Sequence, residues 1–250
     1  MTSRGESTRL MTTSRGEGAG RRSPRRLPPE AARWLTVDLG SSPVQVVVAG
    51  VTGGVGTTTL TAMVARCLAM HRPATRQRPS VVVLDHDGGT AHERSGAPGA
   101  GVVAVRASGG GLSSRPSPED ATPAGARGQD RVDADVLLRC LGAQALNPGP
   151  TLLDDPTVVA VVVAPWHADG LALAGTAADR LGAYRTVVVP VDVTRAQTSR
   201  AGLGLPWDRA LTAPGEITER ALSAASRRAV IAVSSEVIAA ARRVAVLTAG

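Results

Sequence analysis

The chain has 250 residues, 43% of them apolar, and its 28 basic side chains outnumber 21 acidic ones to leave a formal charge of +7. Such a length suits one α/β domain with tails, or at most two small domains. No run of about 18 continuous apolar residues occurs and no apolar run follows the N-terminal charges, which argues against a spanning helix or a signal peptide and makes the cytoplasm the expected location. Aromatic residues make up only 2% and phenylalanine is missing, so the core must be built from Val, Ala and Leu. Lysine is absent as well: all 28 basic residues are arginines, as in the product of a GC-rich genome. That bias weakens any inference from arginine to selected phosphate contacts.

Residues 1–40 read as a disordered basic tail. Up to about residue 30 the chain is Ser, Thr, Gly, Arg and Pro, a composition that buries too little apolar surface to offset the entropy of ordering. Residues 1–33 carry eight arginines against three glutamates. Charge alone would let such a tail hold DNA or an acidic membrane non-specifically, and a solvated tail that only aids solubility is the plain alternative. Aromatic interleaving is absent, which disfavours single-strand stacking. MTSRGE at residues 1–6 nearly recurs as MTTSRGE at residues 11–17, so Met1 and Met11 are both candidate starts.

Residues 41–250 read as one α/β domain with short β-branched runs alternating with helical stretches, the pattern of a doubly wound, mainly parallel sheet covered by helices on both faces. The first strand is expected at Val44 to Ala49, followed by a helix from about Gly56 to Met70. A second strand at Val81 to Leu84 closes on Asp85-His86-Asp87-Gly88-Gly89. Residues 95–130 are Gly, Ala, Ser and Pro-rich, too long for an ordinary connection, and read as a flexible insertion with one weak strand at Val102 to Val105. Val132, Val136, Leu137, Cys140 and Leu141 share a helical face, which predicts a helix over 132–146. Strands follow at Val158 to Ala164 and Thr186 to Val191, with a helix from about Leu171 to Leu181 between them. The last fifty residues predict a helix near Glu216 to Ala225, a strand at Ala229 to Val233 and a helix from Glu236 to Arg243. Five parallel strands result.

The junction of the first strand and helix carries the most chemistry. Gly53, Gly54 and Gly56 free successive backbone N–H groups to point into one concavity at a helix N-terminus, the arrangement that cradles phosphate. Thr58 is at the position whose hydroxyl would ligate Mg²⁺. A glycine turn that merely packs a helix on a strand is the bland reading.

TGGVGTTT at residues 52–59 resembles the KGGVGKTT box of the deviant Walker A ATPases of the ParA and MinD type, and more closely its lysine-poor form in the pilus-localisation pseudo-ATPases called TadZ or CpaE. The resemblance covers roughly residues 43–195. It implies a P-loop NTPase-like fold, weak binding of ATP or ADP with Mg²⁺ by Gly53, Gly54, Val55, Gly56, Thr57, Thr58 and Thr59, and Asp85 in the place of the catalytic switch aspartate. It also implies a homodimer formed through the loop face, and a protein partner in a partitioning, pilus or secretion system. Both lysines of the box are threonines here, Thr52 and Thr57, and Ala164 falls at the position of the Walker B aspartate. Phosphoryl transfer depends on such charges, so hydrolysis is expected to be slow or absent. A weak ATPase in which an arginine and Asp85 replace the lost groups is one alternative. A non-catalytic scaffold that holds nucleic acid by its tail is another.

Three further features have two readings each. Asp85, His86, Asp87 and His167 are expected to gather at the carboxyl ends of adjacent strands, where they would offer oxygen and nitrogen ligands to a divalent metal; strand-end aspartates equally cap the next helix. Trp166, just past a strand end, suits base stacking or a core position. Cys67 and Cys140 lack metal-ligand spacing and read as buried, reduced thiols, His71 and His92 read as solvated loop residues, and no Gly-x-Ser-x-Gly elbow follows any strand.

Overall fold

The computed structural model describes residues 31, 33, 35, 43–71, 80–86, 90–95, 102–106, 134–147, 152–195 and 203–248. Most of the basic tail, most of the 95–130 insertion and Asp87 lie outside those residues. Helical backbone at Ala31, Arg33 and Leu35, with Ala31 and Leu35 buried in the main core, falls within the span expected to be tail.

Six strands form one all-parallel sheet in the order β3-β2-β4-β1-β5-β6, where β1 is Val44–Gly50, β2 Val81–Asp85, β3 Val102–Arg106, β4 Val136–Cys140, β5 Val159–Pro165 and β6 Thr186–Val191. The run that forms β5 is apolar at every position and that of β4 at all but Arg139, and every residue of both is buried, as a parallel strand covered on both faces requires. Helix α1, Thr57–His71, and helix α4, Ala224–Thr248, cover one face and share its core with Val46, Val48, Leu138, Val161 and Val189. Helix α3, Ala168–Leu181, covers the other face over Val47, Ala160 and Val162. The short helix α2, Ala91–Ser95, follows β2. Among the described residues no helix is long and apolar enough to cross a membrane.

Two expected elements are corrected. Residues 136–140, expected within a helix over 132–146, are strand β4, seated between β1 and β2 with Val136 opposite both Val44 and Val81. A five-residue run such as Val-Leu-Leu-Arg-Cys fits helix and strand templates alike, and the vacant lane between two parallel strands decides for the strand. The C-terminal helix–strand–helix is a single 25-residue helix, α4, preceded by turns over 212–223. Ala229, Val230, Val233, Val237, Ala240, Ala241 and Val244 are buried at spacings of three and four residues, so the β-branched run is one stretch of a helical stripe facing the sheet. The sheet therefore gains β4, confirms the weak strand as β3, loses the strand at 229–233, and has six strands in place of five.

The single helix is tested by Ala232→Pro, which would delete a mid-helix hydrogen bond and clash with the preceding turn. A stability loss of about 3 kcal/mol or more in urea denaturation is the expected result.

Candidate functional site

The first strand ends at Gly50, and the chain turns through Val51–Gly56 before α1 begins at Thr57. Gly54 and Gly56 have φ of 74° and 87°, left-handed values that side chains other than glycine's rarely tolerate. Gly50 is glycine for want of space: a Cβ there would lie 2.6 Å from the Thr57 hydroxyl oxygen and 2.7 Å from a Val55 methyl. Val55 is buried and pins the loop to the core, while Thr52, Gly53 and Gly54 are exposed. At the start of α1 the Gly56 carbonyl accepts from Leu60 N–H at 2.8 Å, but glycine has no side chain with which to cap the first-turn amides. These amides and the positive end of the helix dipole make the loop electropositive without any charged residue.

The three threonines that follow have separate surroundings. Thr57 is buried and turned against Gly50. Thr58 is half-buried, with its hydroxyl beside the Cys140 thiol. Thr59 accepts from Arg94 Nη1 at 2.9 Å, and the same arginine nitrogen donates to the Leu211 carbonyl at 3.1 Å. Arg94 thereby ties the first turn of α1 to the segment after β6, and its donors go to Thr59 and to carbonyls.

That segment forms the far wall of a cleft of ≈ 250 Å³ whose near wall is Gly54, Gly56 and Thr59. Across from the loop stand Val191 and Asp192 at the end of β6, then Pro206, Trp207 and Asp208. Leu205 holds the far wall to the sheet edge: its N–H donates to Pro190 at 2.7 Å and its carbonyl accepts from Asp192 N–H at 2.9 Å. Asp208 organises the next turn. One of its oxygens accepts from Ala210 N–H at 3.0 Å, and the other from Ser223 N–H at 2.7 Å and the Ser226 hydroxyl at 2.6 Å. Burial alone would raise the Asp208 pKa, but the hydrogen bonds from Ser226, Ser223 and Ala210 outweigh it and hold the carboxyl below the ordinary aspartate value.

The remaining candidates are dispersed. Asp85 is buried at the end of β2, and its carboxylate accepts from Ala91 N–H at 3.1 Å at the start of α2. His167 caps α3 instead, its Nδ1 accepting from Gly170 N–H at 3.1 Å. The two were expected on adjacent strands; β4 and β1 stand between their strands, a separation of about 14 Å at three interstrand spacings. His86 Nε2 lies 3.4 Å from Arg139 Nη1, and among the described residues no group of three His, Cys, Asp or Glu is placed to hold a metal. Trp166 packs on Gly204, where a Cβ would come within 2.3 Å of its ring, so Trp207 and not Trp166 lines the cleft. His71 is the last residue of α1 and half-buried, and His92 lies in α2, neither in a loop.

Both strands beside β1 end without a carboxylate. On β5 Ala164, next to the last strand residue, is packed in the core under α3. On β4 the last strand residues are Arg139 and Cys140, and the register puts Arg139 beside Val47 on the face away from α1. Cys67 and Cys140 are both free and buried; burial pushes the Cys67 thiol up to about 11 and raises Cys140 too, so neither is a nucleophile at neutral pH.

Fold and site together define an α/β protein with a doubly wound, all-parallel sheet and a glycine loop at the carboxyl end of a central strand. No protein-family model matches the chain, and no curated protein or solved structure shows significant similarity to it.

Two outcomes follow from these environments. At pH 8, Ellman's reagent should leave both thiols of the folded protein largely unreacted and titrate two per chain after denaturation. Asp208→Asn should cost about 1.5–3 kcal/mol at neutral pH, because an amide offers one acceptor where the carboxylate offers two. Since the folded pKa of Asp208 is depressed, its contribution is fully present above the ordinary aspartate pKa and lost as pH falls through the lower folded value. The gap between wild type and variant in urea denaturation should therefore narrow as pH falls below the ordinary aspartate value.

Proposed function

We propose that the chain is a degenerate nucleotide-binding protein of the ParA and MinD type, acting as a localisation or regulatory subunit and turning over ATP slowly or not at all. One observation carries the reading: the strand–loop–helix at the centre of the parallel sheet, with left-handed Gly54 and Gly56 leading into a helix whose preceding residue has no side chain to cap it. Open parallel sheets bind their ligands at the carboxyl ends of the strands, and this loop is at that edge. Phosphate oxygens of ATP or ADP would accept from the amides of Gly53 through Thr58, with Thr58 the residue to hold Mg²⁺.

The same geometry argues against fast hydrolysis. Thr57 has neither the length nor the charge to neutralise the outer phosphates, and neither neighbour of β1 supplies a carboxylate to position the metal. Arg94, the arginine tied to Thr59, donates to backbone carbonyls as well as to that hydroxyl. Asp85, the candidate switch residue, holds the start of α2. Transition-state charge would then be met by backbone dipoles alone, which favour binding of an anion over its turnover. A dimer formed across the exposed loop face, and a partner in partitioning, pilus or secretion assembly, complete the reading.

Calorimetric titration of Mg·ATP and Mg·ADP into the full chain tests it. Saturable binding in wild type that Gly56→Arg abolishes is expected, since that residue lines the cleft and its left-handed backbone disfavours any side chain. No heat at millimolar ligand would overturn the nucleotide-binding reading.

A further inference from the structure

We propose that Trp207 is the stacking platform for the aromatic base of the nucleotide whose phosphates lie on the glycine loop, with Arg195 backing the opposite face of the indole. The inference rests on the phosphate-loop reading above and adds the ring end of the ligand.

The cleft joins an anion-favouring wall to an apolar one. The first is Gly54, Gly56 and the first turn of α1, where amides and the helix dipole favour negative charge. The second is Val191, Leu205, Pro206, Trp207 and Leu211. Asp192 and Asp208 also line it, but their carboxylates are held by Thr194 and by Ala210, Ser223 and Ser226. A ligand that satisfies both walls carries an anionic group and a ring. The volume of ≈ 250 Å³ falls just below the range of about 300–1,000 Å³ typical of small-molecule sites.

Trp207 is held for this use from two sides. The Arg195 guanidinium carbon stands 4.0 Å from the indole centroid, a stacked cation–π contact. Arg195 reaches it from a backbone with φ of 63°, a left-handed conformation uncommon outside glycine, asparagine and aspartate. Among the described residues that line the cleft Trp207 is present and Arg195 is not, so the guanidinium does not occupy the cleft beside the indole. Leu205 and Asp208 fix the backbone on either side of Pro206-Trp207, so the platform is set before any ligand arrives.

Binding of ATP, GTP and inorganic tripolyphosphate, each with Mg²⁺, is measured on the full chain by calorimetry and by indole fluorescence, in wild type, Trp207→Leu and Trp207→Phe. At least one nucleotide should bind more tightly than tripolyphosphate and quench the fluorescence. Trp207→Leu should weaken that nucleotide at least about fivefold, the lower end of what stacking on one base contributes, while leaving tripolyphosphate unchanged. Trp207→Phe should retain most of the affinity, and wild-type melting temperatures in both variants would separate lost stacking from lost folding. If nucleotide and tripolyphosphate bind equally, or Trp207→Leu leaves nucleotide affinity intact, the platform is overturned while the phosphate loop stands. Absence of binding by all three probes would overturn both.

Discussion

Everything near the site depends on the confinement of β1 between two parallel neighbours. Its backbone pairs with β4 on one side and β5 on the other, and its side chains are packed under helices on both faces. A chain leaving such a strand has one exit, past the carboxyl edge, and must reverse there into the helix that covers it. Gly50 makes the reversal fit, because any Cβ would strike Thr57 and Val55. Gly54 and Gly56 make it turn, with left-handed backbone that other residues rarely adopt. The shape of the loop is thus enforced by packing beneath it, independently of any ligand above it.

That packing also accounts for the residues of the loop. The glycines and Val55 are required by the strand-to-helix turn, and Thr57 fills the space against Gly50 that the missing Cβ leaves. A threonine in that place is a compact, uncharged structural residue. What remains for an anion is the field of the backbone, which is fixed, short-ranged and of modest strength. Across the cleft, a second set of constraints holds the far wall: a bridge from Leu205 to the end of β6, and the three-donor anchorage of Asp208. Arg94 joins the two walls through Thr59 and Leu211, so the cleft is set by hydrogen bonds from both sides.

Much of the fold was legible in the chain. Strands β1, β2, β3, β5 and β6 and helices α1 and α3 fall within a few residues of where apolar runs and helical periodicity place them. Misreadings came where a local pattern has two solutions. Residues 136–140 satisfy a helical face when read alone, and become a strand because the lane between β1 and β2 has to be filled. Residues 229–233 read as a strand when isolated, and belong to a helix because the stripe continues at both ends. The glycine loop was visible as a motif, whereas Trp207 and Arg195 carry no local signal: they meet over a turn that only the far wall creates.

By itself, then, the sequence determined the doubly wound α/β class, the turn from β1 into α1 and the lack of charge in that turn, since these are written in contiguous periodicity, glycine spacing and residue identity. Tertiary structure alone decided the identity of the neighbours of β1, the separation of Asp85 from His167, and the opposition of Trp207 to the loop. Those are relations between distant segments, set by which strand fills which lane of the sheet, and no pattern within a single segment encodes them.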